Sequence, residues 1–320
     1  MSRRLGPLGL LVPLLLLGCS PPIPSQPPVF LTELELAPIE ATDALVLDEP
    51  PQTDAAPSTL PEPDLTEMKL IPAGVYLLGL TSQQVEWLYQ LCKKTSDQKG
   101  NCTRRSELSP QREAALEAFW LDRTEVSVAD YLECIEAGAC EVPKDEQVLC
   151  QRGSSYTNQP APPLVHPVNC VSWEQAQDYC RWRGKRLPSS DEWEAAARGP
   201  EGLMFPWGEE LPNCEQAFSN RQECSYDGCC SREDWSSIWP ETMPVVSMDE
   251  GASPFGVLHL ADNVREWVED GDGEGRHWVR GGHYSRSHEL FGANAWLAKR
   301  ETDFIGFRCA VSETGRRNEK

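Results

Sequence analysis

The sequence predicts an α+β domain that is rich in loops and stapled by disulfides. Two segments begin with a capping box, Ser172 to Gln175 and Ser189 to Glu192, which indicates helices with well-defined starts. Short apolar runs next to Gly and Pro indicate strands. The chain has 13 cysteines in 320 residues without regularly spaced Cys-x-x-Cys pairs, which is typical of an oxidising compartment rather than of a zinc protein.

The first elements of the domain are strands. The runs Met68 to Gly74 and Val75 to Leu80 surround a Pro/Gly turn, and we expect them to form a hairpin. Apolar residues at helical spacing then predict helices over residues 82–94 and 128–137.

The second half of the domain combines two capped helices with a long loop. The capping boxes predict helices over Trp173 to Trp182 and Ser190 to Arg198. Residues 209–252 contain many Gly, Pro, Cys and acidic residues with little periodicity, so we expect a loop held by disulfides. Strands return at Trp278 to Arg280 and at Phe307 to Val311.

The charge balance excludes one class of partner. The chain has 50 acidic and 29 basic residues, for a formal net charge of −21. Nucleic-acid binding needs a basic surface that neutralises phosphates, so we expect no nucleic-acid partner. Apolar residues make up 40% of the chain and include 11 Trp, which is enough for a substantial core.

The N-terminus predicts export and lipid attachment. A basic pair, Arg3 and Arg4, precedes the apolar stretch from Leu8 to Leu17, which is too short to span a membrane. We therefore assign residues 1–18 to a signal peptide. The sequence Leu-Leu-Gly-Cys that ends at Cys19 resembles a bacterial lipobox, which implies a lipid on that cysteine and attachment to a membrane. An ordinary cleaved signal is the alternative.

A tether is expected after the anchor. Ser20 to Thr66 contains 11 prolines and 9 acidic residues but no Lys or Arg, so it cannot bury enough apolar surface to fold by itself. We assign residues 19–66 to this tether, residues 67–311 to the domain and residues 312–320 to a flexible tail. Because Ser20 follows the anchor, resemblance to other lipoproteins favours the outer membrane, facing the periplasm or the cell surface.

Eight ordered sequence blocks within residues 67–311 resemble the formylglycine-generating enzyme (sulfatase-modifying factor) family. They are Phe119–Val126, Pro167–Trp173, Tyr179–Pro188, Glu192–Gly199, Phe205–Gly208, Phe255–Trp267, Val279–Gly282 and Gly306–Ala310. The resemblance implies a variant of the C-type-lectin-like fold, with long loops around a shallow cleft.

The copper chemistry of that family is not expected here. The resemblance implies two cysteines shortly after the Arg-Gly-Gly block, which bind Cu(I) as soft thiolates and support oxidation of a substrate cysteine. In this chain residues 283–307 contain no cysteine, and the two positions hold Arg286 and Phe291. We therefore do not expect copper as a cofactor. His283 and His288, with Glu289, are alternative metal ligands, or else a wall residue and a surface residue.

Calcium is the other metal that the resemblance implies. The family holds Ca²⁺ with oxygen ligands at positions that correspond to Glu266 and to the carbonyls of Asp262 and Val264. The upstream ligand position holds His259, which is a poor calcium ligand. Two alternatives stay open: either Ca²⁺ binds, or a buried Glu266 needs Arg or backbone donors instead.

Cysteine pairing is expected to replace part of the regular scaffold. Resemblance implies a bridge between Cys180 and Cys309. Short spacing favours two local pairs, Cys134 with Cys140 and Cys92 with Cys102. Six cysteines cannot be paired from sequence: Cys150, Cys170, Cys214, Cys224, Cys229 and Cys230.

Two classes of function remain open. The first is a non-oxidising binding or accessory module of the cell envelope that holds a peptide, a glycan or an envelope protein. Its candidate cleft consists of Arg265, His283, Tyr284, Arg286, His288 and Trp296. The second is a metal-dependent oxidase that generates formylglycine in sulfatases, or a related oxygen-dependent reaction. The missing thiolates favour the binding module.

Overall fold

The structure is a computed structural model that describes residues 61–95, 110–143, 163–212, 216–217, 242–284 and 295–313. These residues contain four α-helices and nine β-strands. The helices are α1 (Ser82–Thr95), α2 (Val128–Glu136), α3 (Trp173–Trp182) and α4 (Ser190–Arg198). The strands are β1 (Met68–Ile71), β2 (Gly74–Leu78), β3 (Arg112–Leu116), β4 (Phe119–Asp122), β5 (Arg265–Gly271), β6 (His277–Arg280), β7 (Ala295–Ala298), β8 (Ile305–Phe307) and β9 (Ala310–Ser312).

The described strands form three small sheets rather than one large one. The sheets have the orders β1-β4-β9, β2-β3 and β7-β6-β5-β8. All neighbours are antiparallel except β5 and β8, which are parallel. Short strands distributed over three separate sheets fit the predicted loop-rich α+β class.

The predicted opening hairpin is wrong, although both strands exist. β1 pairs with β4, with Met68 opposite Asp122, whereas β2 pairs with β3 in a different sheet. The chain changes sheets between Ile71 and Gly74, because β1 and β2 each pair with a different later strand. Ile71, for example, lies opposite Phe119, and both side chains are buried.

The predicted strand from Phe307 to Val311 is also wrong as a single element. The structure has β8 and β9 in separate sheets, with Arg308 and Cys309 between them. Those two residues leave the strand pattern because each is fully buried and has a specific partner, described below. Of the predicted loop over 209–252, the described part contains a short 3-10 turn at Asp249–Gly251.

The helix predictions are confirmed, and their caps explain why. Ser172 and Ser189 both form the reciprocal capping box, with Gln175 and Glu192 respectively. α2 begins with a third box, in which Ser127 accepts from the backbone N–H of Asp130. Satisfying the first N–H groups in this way fixes where each helix begins.

The core lies on both faces of the sheets that carry the cleft. α3 packs Tyr179 against Tyr131 and Phe307, with ring centroids 5.8 and 5.4 Å away. α4 buries Trp193 completely in a second apolar cluster that includes Phe119. The cluster around Tyr179 includes residues of β5, β6 and β8, and the cluster around Trp193 includes Val268 of β5, so both clusters support the strands beside the candidate cleft.

Two of the three predicted disulfides are confirmed. Cys134 bonds to Cys140, and Cys180 bonds to Cys309 across 129 residues. Cys170 is disulfide-bonded as well. The predicted pair of Cys92 with Cys102 and the other unassigned cysteines, Cys150, Cys214, Cys224, Cys229 and Cys230, lie outside the described side chains.

The described chain begins inside the predicted tether. Pro61 approaches Gly184 so closely that an added Cβ there would lie 2.0 Å from the proline carbonyl oxygen. The last residues assigned to the tether therefore contact the domain, whereas residues 19–60 and Cys19 lie outside the described residues. No helix in the described ranges combines the length and apolarity that crossing a bilayer requires.

Candidate functional site

The candidate cleft is built around a guanidinium group between two aromatic rings. Arg265 begins β5, and its backbone N–H donates to the carbonyl of Phe304 at 2.9 Å. Its guanidinium carbon lies 4.9 Å from the ring centroid of Trp296, on β7, and 5.5 Å from that of Phe304. Trp296 is 37% exposed, so one wall of this arrangement faces solvent.

His283 and Tyr284 continue the same wall. The imidazole of His283 stacks on Phe304 with centroids 4.5 Å apart, and the Tyr284 ring meets it edge-on at 5.9 Å. Both side chains are buried. The structure thus joins four of the six predicted cleft residues through Phe304, whereas Arg286 and His288 lie outside the described residues.

Phe304 is the cleft residue that the sequence analysis missed. It directly precedes the Ile305-Gly306-Phe307 strand, and the parallel pairing of that strand with β5 brings its ring next to Arg265. Pairing between segments 40 residues apart leaves no local signal in the sequence. The available clue was its position beside the Gly306 block.

The chemistry of this cleft is that of a cation held against aromatic faces. A guanidinium between two rings keeps its charge and its planar set of N–H donors, which suits a carboxylate, sulfate or phosphate group. The sulfur of Cys309 is bonded to Cys180 and so is not a thiolate. Within the described residues, no group of three or more His, Cys, Asp or Glu side chains is arranged to hold a metal.

A buried ion pair lies beneath the cleft. The Glu266 carboxylate accepts from Nε and Nη2 of Arg308, each at 2.7 Å, and from the Trp193 indole N–H at 2.8 Å. The Glu266 and Arg308 side chains are completely buried. Two parallel N–H···O bonds between ionised groups are among the stronger hydrogen-bond arrangements in proteins.

Arg308 also connects the ion pair to neighbouring backbone. Its Nη2 donates to the carbonyl of Leu258 at 2.8 Å, and its Nη1 donates to the carbonyls of Asp122 and Arg123 at 3.1 and 3.2 Å. One side chain therefore joins β5, the end of β4 and the loop before β5. This explains why the chain leaves the strand pattern at Arg308.

A second polar group surrounds His259. Its Nδ1 lies 3.0 Å from Asp262 Oδ1, and both side chains are buried. Burial disfavours the imidazolium, but the carboxylates of Asp262 and Glu125 outweigh it and raise the pKa of His259 to about 9. Burial also raises the pKa of Glu125 well above its usual range.

The calcium ligand set does not fit this arrangement well. Both oxygens of Glu266, the carboxylate of the expected ligand set, already accept hydrogen bonds from Arg308. A dication would have to displace a fully buried guanidinium and sit close to an imidazolium. Of the two sequence alternatives, Arg donors to Glu266 match the observed contacts, and calcium stays an untested prediction.

A third buried ionic cluster lies behind α4 and was not predicted from the sequence. Glu194 Oε1 accepts from Arg198 Nη1 at 2.7 Å, and Oε2 accepts from Arg280 Nη1 at 2.9 Å. Glu194 also accepts from the backbone N–H of Gly79 at 2.7 Å. The cluster ties α4 to β6 and to the end of β2, so it positions the sheet that carries the cleft.

Comparison with known proteins finds similar sequences for part of the chain. It is similar to the formylglycine-generating enzyme of Mus musculus, with 28% identity over 240 residues, covering 64% of this chain and 58% of the mouse protein. It is also similar to the inactive C-alpha-formylglycine-generating enzyme 2 of Bos taurus, with 31% identity over 176 residues, covering 49% of this chain and 56% of the bovine protein. The chain therefore spans less than two thirds of the length of these relatives.

A solved structure shows the same fold, and a sequence-family match shows the family. PvdO from Pseudomonas aeruginosa superposes with a TM-score of 0.55 and 21% identity, covering 81% of this chain and 100% of PvdO. The expected formylglycine-generating-enzyme-like variant of the C-type-lectin-like fold is thus confirmed. Residues 53–313 match the sulfatase-modifying factor enzyme 1-like domain, so the chain belongs to the formylglycine-generating-enzyme-like family.

Proposed function

We propose that this protein is a lipid-anchored envelope module that uses its formylglycine-generating-enzyme-like domain to bind a ligand rather than to oxidise cysteine. One observation carries the proposal. The sequence has no cysteine between Cys230 and Cys309, so the stretch in which the family places its copper thiolates has none. The sulfur of Cys309 is held in the bond to Cys180. Cu(I) is selected by soft thiolate donors, and carboxylates are poor substitutes for them.

Two further findings support a non-oxidising role. The cleft holds the cationic side chain of Arg265 between Trp296 and Phe304, and a fixed positive charge disfavours a metal cation nearby. The name of the bovine relative also describes it as inactive, so the family includes proteins named for lacking the activity. Both findings favour a cleft that recognises a ligand.

The proposed ligand is a peptide or glycan that carries an anionic group. Such a group would pair with the guanidinium of Arg265, while the exposed face of Trp296 would pack against a sugar ring or an apolar side chain. The lipid on Cys19 and the acidic, Pro-rich segment after it would hold the domain at the outer membrane. The membrane and envelope components are therefore the proposed partners.

The test measures metal and ligand separately. The purified domain is dialysed against Cu(I) with a competing chelator, and bound copper is counted by mass spectrometry. We expect the domain not to retain one copper ion per protein molecule. Retention of one equivalent, lost in His283→Ala, would favour the oxidase instead. Binding to arrays of sulfated, carboxylated and neutral glycans should be lost in Arg265→Ala and kept in Arg181→Ala, a control on the exposed surface of α3.

A further inference from the structure

A groove on another part of the domain has the size of a ligand site. It has a volume of about 550 Å³ and lies between the segment before β1, the start of α2, the end of α3 and the loop near Val246. Clefts of about 300 to 1,000 Å³ are typical for small ligands and side chains. None of its described lining residues belongs to the proposed cleft around Arg265, so the two regions are separate.

One rim of the groove is apolar and open to solvent. Leu164, Val165 and Val246 line it and are 48%, 56% and 64% exposed. The backbone N–H of Val245 donates to the carbonyl of Val165 at 2.9 Å, which holds the two rim segments together. Three neighbouring aliphatic side chains on a fixed backbone form a patch of the kind that marks interaction sites.

The opposite wall is acidic. Five carboxylates line the groove, namely Asp64, Glu67, Asp122, Glu125 and Asp130. The two lining cations already have acidic partners: Lys185 lies 2.7 Å from Asp122, and Arg183 lies 2.7 Å from Glu133 and 3.9 Å from Asp130. Even without Glu125, whose pKa is raised by burial, the other four lining carboxylates outnumber these two cations, so the described lining carries an excess of negative charge.

Glu125 provides an independent sign that the groove lacks a donor. Its side chain is 2% exposed, and its Oε1 accepts from Asn263 at 3.0 Å. Its Oε2 is buried and has no hydrogen-bond partner among the described residues. An unsatisfied buried oxygen destabilises the free protein, so a donor that reaches the groove would bind favourably.

We propose that this groove docks a basic segment of another polypeptide in which Lys or Arg alternates with aliphatic residues. The basic side chains would face the carboxylates, and the aliphatic ones would pack on the Val165 and Val246 rim. The remainder of the tether, residues 20–60, is excluded as the occupant by charge, because it has 7 acidic residues and no Lys or Arg. A second copy is disfavoured by the net charge of −21.

The probe is a synthetic peptide of eight residues, blocked at both ends, in which Lys alternates with Leu. A peptide in which Glu alternates with Leu serves as the charge-reversed control. Binding to the full chain without its signal peptide is measured by isothermal titration calorimetry at low salt and at 0.5 M NaCl. We expect the Lys peptide to bind at low salt and to bind more weakly at high salt, and the Glu peptide not to bind.

Matched variants distinguish binding in the groove from general electrostatic attraction between a basic peptide and an acidic protein. Glu67→Lys should reduce the affinity for the Lys peptide by about tenfold or more, and Val246→Ser should reduce it by a smaller factor. Glu117→Lys and Val75→Ser make the same changes at exposed positions outside the groove and should leave binding nearly unchanged. Equal weakening by both sets, or equal binding of both peptides, would overturn the proposal.

Discussion

The buried pair of Glu266 and Arg308 gives the most specific stability prediction. Replacing Arg308 with Met keeps much of the volume but removes the cation and its five hydrogen bonds. Glu266 then stays fully buried, with Trp193 as its remaining donor among the contacts described. Removing one partner of a buried ion pair destabilises a protein by about 3 to 5 kcal/mol. We expect the variant to lose that much free energy of unfolding.

An exposed ion pair supplies the control. Arg181 lies 3.2 Å from Asp178 on α3, and both side chains are more than half exposed. Arg181→Met should change the free energy of unfolding by less than about 0.5 kcal/mol. The double change of Arg308→Met with Glu266→Gln should recover part of the loss, because no unpaired charge is then left in the core.

Urea unfolding followed by tryptophan fluorescence measures all three variants with the disulfides intact. A loss below about 1 kcal/mol for Arg308→Met, similar to that for Arg181→Met, would show that the pair is not structural. Added CaCl₂ should leave the melting temperature of the unmodified protein unchanged. A clear rise would refute our account of Glu266, because calcium would then use a carboxylate that we assign to Arg308.

Three other predictions concern the anchor, a disulfide and pH. Cys19→Ala should release the protein from membranes, and equal retention in a detergent-partition assay would refute lipidation. The double change of Cys180→Ser with Cys309→Ser should lower the free energy of unfolding by about 4 to 5 kcal/mol in the chain-entropy view, as measured by urea unfolding. The raised pKa of His259 means that its stabilising charge is fully present below about pH 6.5 and is lost as pH rises through about 9. The free energy of unfolding should therefore fall by about 1 to 3 kcal/mol between these two pH values, and His259→Gln should make that fall smaller.

Local features of the fold could be predicted from the sequence. Ser172 and Ser189 each have their capping partner three residues later, so the starts of α3 and α4 are encoded within one turn. The pairing of β1 with β4 is not encoded locally, because Met68 and its partner Asp122 lie about 50 residues apart in the sequence. That is why two correctly placed strands were joined in the wrong hairpin.

The site shows the same division between local and distant contacts. Arg265, His283, Tyr284 and Trp296 could be chosen as cleft residues because the family resemblance orders them around the Arg-Gly-Gly block. Phe304, which contacts Arg265 and His283, could not be chosen in this way. Likewise, the sequence indicated that a buried Glu266 needs a cation or backbone donors. Only the folded chain brings Arg308 to it, across 42 residues.

We propose above that the domain does not oxidise cysteine, and one reaction tests this most directly. The most direct measurement incubates the protein, in the presence of copper and oxygen, with a peptide containing Cys-x-Pro-x-Arg and follows the peptide by mass spectrometry. We predict that the cysteine keeps its mass over the full time course, because residues 283–307 contain no thiolate and Cys309 is bonded to Cys180. A time-dependent product with the mass of the aldehyde, abolished by a copper chelator, would contradict the claim.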